Sequence, residues 1–184
     1  VIRGGEMKDR EVSMDPVFDS VGLWEQTPET LEATWKDKGF KWNSEQVKDK
    51  GIIRRDNMGF GKLKITAFGT RNIEEVAFSL KNGKLSEVSI AIWNKGDSEN
   101  ADVSEKGFND IIDGWSAELS KRIAPTFENK GKDTASAAKA ERRMWIGKET
   151  LAQLEYSGGK EKIRDLYSGR ERTGKNFQGE FIRL

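Results

Sequence analysis

Residues 73–93, IEEVAFSLKNGKLSEVSIAIW, hold two runs rich in β-branched and aromatic residues on either side of an Asn-Gly pair. Val76, Phe78 and Leu80 alternate with Ala77 and Ser79, and Val88, Ile90 and Ile92 alternate with Ser89 and Ala91, the period of strands with one buried face. Asn82-Gly83 is a strong hairpin signal, so the two runs pair antiparallel. A two-residue type I′ loop would set Phe78 opposite Glu87 and Val76 opposite Ser89, turning the two apolar sets to opposite faces. A three-residue loop, with Gly83 in the left-handed region and a G1 bulge, pairs Leu80 with Lys84 and Val76 with Val88 and brings both sets to one side. For a sheet covered on one side, the bulged hairpin is the expectation.

Working toward the N-terminus, Gly51–Arg55 and Leu63–Phe68 read as two further strands, separated by glycine and asparagine clusters. Before them, Thr27 can cap a helix with Pro28 at its first position and Glu29 and Glu32 near the positive end of the dipole. Leu31 and Trp35 share a face of that helix, Gly39 stops it, and Phe40 and Trp42 can close over its end. Residues 1–20 show no sustained period and read as an irregular arm.

Toward the C-terminus, a longer helix is expected from about Ser104 to Ala124. Phe108, Ile111, Ile112, Trp115, Leu119 and Ile123 form one stripe, and Pro125 ends it. A polar connection, Glu128–Ala140, leads to strands at Arg142–Ile146 and Thr150–Ser157. Lys160–Gly174 reads as a short helix or a loop, and Phe177–Leu184 as a closing strand. The order of helix, four strands, helix and three strands places the chain in the α+β class, with a curved antiparallel sheet of about 6–7 strands packed on two helices. Residues 21–184 are expected to form a single domain. The order hints at a repeat of 21–100 and 101–184, with no residue-level self-similarity behind it.

Composition narrows the function. The 184 residues contain neither histidine nor cysteine, which removes every triad, dyad or metal cluster built on those side chains. Nor is there any disulfide framework. The 32 basic and 31 acidic residues nearly cancel, so no global field draws the chain to nucleic acid. The basic lean after Lys121 reads as a solvated face. No apolar run approaches the roughly 18 residues of a membrane span. The start, Val1-Ile2-Arg3-Gly4-Gly5-Glu6, has no initiator methionine and no apolar signal core, as expected of a processed or trimmed polypeptide.

Carboxylates are the remaining chemical candidates. Glu74 with Glu75, or Asp110 with Asp113, could serve glycoside hydrolysis or hold a hard cation, but both pairs alternate with apolar positions in the manner of solvated faces. Asp97, Glu99, Asn100 and Asp102 lack the spacing of a calcium loop, and Gly59-Phe60-Gly61 and Gly158-Gly159-Lys160 lack that of a phosphate loop. No metal and no cofactor is expected. Among the tryptophans, Trp35 and Trp115 belong to helical stripes. Trp93 falls on the strand face opposite Val88, Ile90 and Ile92, and Trp145 alternates against Met144 and Ile146. Together with Trp42 they are the candidate binding residues: exposed, they mark a recognition surface; covered by the N-terminal arm or by Lys160–Gly174, they are core.

The segments Val76–Leu85, Trp93–Asp97, Gly131–Asp133 and Leu154–Ser157 resemble uncharacterised N-terminal regions of exported bacterial proteins, some of which are followed by a cysteine-peptidase-like domain. The resemblance implies an exported or periplasmic protein and carries no catalytic residue onto this chain. Any nucleophile would then lie beyond Leu184. The expected function is a non-catalytic accessory, pro-region or binding domain, not an enzyme, with a protein or an adjoining domain of the same polypeptide as partner. An inhibitor-like protein-binding module and a carboxylate-dependent hydrolase are the alternatives.

Overall fold

Thr27 starts the first long helix as its sequence dictates. In the computed structural model, its hydroxyl accepts from the Thr30 N–H at 3.3 Å while its own N–H donates to Thr30 Oγ1 at 2.8 Å, a reciprocal capping box. The structure describes residues 10–19, 22–55, 63–93, 105–123, 127–133, 140–157, 162–164, 171–173 and 176–184. The chain forms two compact units, Val1–Val88 and Ser89–Leu184.

The first unit holds β1 (Arg10–Ser13), α1 (Asp15–Asp19), α2 (Pro28–Trp35), β2 (Phe40–Trp42), β3 (Lys50–Arg54), β4 (Leu63–Ala67), β5 (Thr70–Ile73), β6 (Glu75–Lys81) and the first half of β7 (Lys84–Trp93). After α2 the chain tightens into a 3-10 turn, Lys36–Lys38, and Gly39 ends it at φ 84°. Strands β2, β3, β6 and β7 are hydrogen-bonded neighbours in that order, with β2 antiparallel to β3 and β3 antiparallel to β6. Leu31, Trp35, Phe40, Ile53, Val76 and Phe78 are buried together on one face. A Cβ on Gly51 would overlap the Phe40 ring, so the missing side chain is what lets Phe40 lie across β3 and meet Phe78 at 5.9 Å.

The second unit holds the rest of β7, α3 (Glu105–Arg122), β8 (Phe127–Asp133), β9 (Ala140–Ile146), β10 (Thr150–Ser157), β11 (Lys162–Arg164), β12 (Glu171–Thr173) and β13 (Asn176–Arg183). The sheet order is β7-β13-β10-β9-β8, with β11 and β12 pairing separately. The α3 stripe is buried at Phe108, Ile112, Trp115 and Leu119, and it packs on the face that carries Trp145, Ala152, Leu154, Phe177 and Phe181. The α+β class and the open antiparallel sheet are thus as the sequence reading has them.

Several local expectations are overturned. Asn82 and Gly83 are both left-handed, at φ 54° and 75°, and the strands run up to Lys81 and resume at Lys84. This is the two-residue type I′ turn, not the bulged loop. The bulged register suits a sheet covered on one side only, whereas β6 is buried on both, at Val76 and Phe78 on one face and at Ala77 on the other. The stretch read as an irregular arm contains β1 and α1. Strand β1 pairs parallel with β4, and Val12, Met14 and Val17 are buried. The turn from β4 to β5 is also left-handed at both positions, Phe68 at φ 48° and Gly69 at 77°. A phenylalanine there is strained, and α1 holds it: Asp15 Oδ1 accepts the Phe68 N–H at 2.9 Å and Phe18 meets its ring at 5.0 Å. Finally, β8 lies where a connection was expected, and β11 and β12 lie where a short helix or loop was.

Candidate interaction surface

The register of three strands decides what the second unit shows to solvent. Trp145 of β9 lies opposite Ala152 of β10, which lies opposite Phe181 of β13; Arg143, Leu154 and Gly179 form the next row on that face, and Glu141, Tyr156 and Phe177 the one after. This is the face that α3 covers. Trp145 has no exposed surface, its indole N–H donates to Ser120 Oγ at 2.8 Å, and Phe177 lies edge-on to Trp115 at 5.9 Å.

Side chains alternate, so the neighbours of these residues point the other way. Ile146, Leu151 and Ile182 are directly opposite one another across the three strands and form an apolar row. Ile146 is 46% exposed, and Leu151 and Ile182 are half-buried. Leu184, one step past β13, is 59% exposed. The second row is Met144, Gln153 and Glu180. The third is Arg142, Glu155 and Gln178, in which Arg142 Nε donates to Glu155 Oε2 at 3.0 Å. The face therefore grades from exposed aliphatic groups at one end to an ion pair at the other, the pattern of an apolar patch with a polar rim.

The covered face carries a polar cluster at its edge. Arg143 donates through one terminal nitrogen to Asp113 Oδ1 at 3.1 Å and to Ser116 Oγ at 2.8 Å, and its guanidinium lies 5.5 Å from the centre of the Tyr156 ring. Tyr156 donates its hydroxyl proton to Glu141 Oε2 at 2.6 Å. Burial raises the tyrosine pKa above its ordinary value of 10.0, and the hydrogen bond to Glu141 adds to it. The Arg143 Nε is buried without a hydrogen-bond partner. The chemistry of this cluster is that of a clamp fixing α3 to β9 and β10, since each charge faces an opposite charge or a hydroxyl.

The three tryptophans expected to bind are placed differently. Trp145 is core, on the inner face of the strand whose outer face carries Met144 and Ile146, which is the covered alternative of the two that the sequence leaves open. Trp42 is also buried: its indole N–H donates to Glu32 Oε2 at 3.3 Å, Phe40 meets it edge-on at 4.8 Å, and the Lys48 ammonium, 6.0 Å from its ring centre, shares Glu32 at 3.2 Å. The hydrogen bond from Trp42, followed by Lys48, holds the Glu32 carboxyl below its ordinary pKa. Trp93 ends β7, and its side chain lies outside the described residues.

Three of the four paired carboxylates are engaged in ion pairs, whereas Glu74 Oε2 is buried without a hydrogen-bond partner. Lys106 holds Asp110 at 3.0 Å, Arg143 holds Asp113, and Arg54 holds Glu75 at 3.1 Å. Among the described residues, no group of three or more acidic side chains is placed to hold a metal ion, and no helix is long and apolar enough to cross a membrane. The loop of Asp97–Asp102 and both glycine stretches weighed for phosphate lie outside the described residues. No family model, no curated protein and no solved structure matches the chain.

Proposed function

We propose that this chain is a non-catalytic binding or accessory domain that docks another protein, or an adjoining domain of its own polypeptide, on the outer face of β9, β10 and β13. One observation carries the reading: Ile146, Leu151 and Ile182 form a continuous aliphatic row on a sheet face whose opposite side is already packed on α3. Burial of apolar surface of this kind drives protein association, and the flanking Gln153, Glu180, Arg142 and Glu155 supply a polar rim that fixes orientation. The absence of histidine and cysteine from all 184 residues supports a role in binding over catalysis. The resemblance to exported bacterial N-terminal regions supports an accessory role in an exported protein.

The test uses immobilised chain with three surfaces: wild type, Ile146→Lys, and Lys41→Glu as a control in the first unit. A partner protein held by wild type and control and released by Ile146→Lys supports the reading. Equal retention by all three, or retention by none, contradicts it.

A further inference from the structure

We propose that Asn82 is a self-modification site, a deamidating asparagine whose reaction is gated by the tip of the β6–β7 hairpin. This inference is independent of the docking face. Asn82 and Gly83 are both exposed, and no atom lies within 4 Å of where a Gly83 side chain would be. An asparagine followed by glycine is open to attack because no side chain shields the following amide nitrogen. The Gly83 nitrogen bonds to Cγ of Asn82, and the Asn82 side-chain nitrogen leaves as ammonia with the proton released by the amide. Water then opens the resulting five-membered succinimide at either carbonyl, giving aspartate or isoaspartate. Flanking Lys81 and Lys84 favour the negative charge that builds on the amide nitrogen before closure.

The fold controls the rate. Ring closure requires Asn82 to leave the type I′ conformation, so the tip must open first. Three contacts resist that: Lys84 Nζ to Glu25 Oε2 at 2.6 Å, Leu85 N–H to Gln26 O at 2.8 Å, and Ser86 Oγ to Ser79 O at 3.0 Å. The product alters the fold in return. Isoaspartate adds a methylene to the main chain of a two-residue loop, which cannot then keep Lys81 and Lys84 in register. The new carboxylate also takes the formal net charge from +1 to 0, with 32 acidic residues against 32 basic.

The experiment incubates the chain at mildly alkaline pH, folded and urea-unfolded, cleaves after glutamate, and follows the Val76–Glu87 peptide by mass spectrometry, with the two product isomers separated. Asn82 converts in both states, more slowly when folded, and isoaspartate is among the products. Glu25→Ala, which removes one exposed tie, speeds the folded reaction about twofold. An Asn82 that stays intact in the folded chain while the unfolded chain converts, or a folded rate that Glu25→Ala leaves unchanged, overturns the proposal.

Discussion

Trp145 and Ile146 are consecutive residues of β9 with opposite fates: the indole is fully buried and bonded to Ser120 beneath α3, and the isoleucine is 46% exposed on the other face. One strand thus supplies both an anchor of the core and the most open member of the aliphatic row. Their substitutions separate cleanly. Trp145→Ala leaves a large cavity and an unpaired Ser120 hydroxyl and costs about 3–5 kcal/mol of stability. Ile146→Lys stays within about 0.5 kcal/mol of wild type. Urea unfolding of the two variants measures both.

Gly51 is the position where the first unit has no room. Gly51→Ala drives a methyl group into the Phe40 ring, which cannot retreat because Phe78 and Trp42 flank it. Destabilisation of about 1–3 kcal/mol follows. Thermal unfolding shows it as a lowered midpoint.

The local signals in the sequence are legible where they are self-contained. Thr27 and Pro28 start α2, and Gly39 stops the 3-10 turn that follows it, because capping chemistry acts within one turn, and the stripe of α3 is visible because it repeats every three or four residues. Strands β10 and β13 fall within a residue or two of expectation. The polar sequence REVS of β1 offers no alternation of its own, and its pairing is supplied by β4. In β9, Met144, Trp145 and Ile146 are all apolar, so the strand alone does not say which face is inside. The signal lay in β10, where Gln153 and Glu155 mark the outer face and Ala152 and Leu154 the inner; carried across the register, it places Trp145 in the core and Ile146 outside. The hairpin register is hidden for a related reason: burial on both faces of β6 is a tertiary fact, invisible in the two strands themselves.

Glu32 makes the first unit acid-sensitive in a defined sense. Its folded pKa lies below the ordinary value of 4.5, so its contribution is present above that value and is lost as pH falls through the lowered folded pKa. The stability difference between wild type and Glu32→Gln is therefore constant at neutral pH and shrinks on acidification below the ordinary glutamate range. Paired denaturation curves across the acid range show this, and a difference that does not change with pH would contradict the Trp42–Glu32–Lys48 arrangement.

Tyr156 acts in the opposite direction. Its folded pKa is raised, so the stability it contributes is complete below 10.0 and is lost as pH rises from there through the folded value. Tyr156→Phe flattens that alkaline loss. With two tyrosines in the chain, ultraviolet titration of wild type against the variant isolates the late-ionising one.

The docking face is tested most directly by photo-crosslinking. A photoactivatable side chain at position 146, compared with the same group at position 41, is irradiated in the presence of the partner that the wild-type chain retains. The account predicts a crosslinked product from position 146 and little from position 41. Crosslinking from position 41 alone, or equal yields from both, would contradict it.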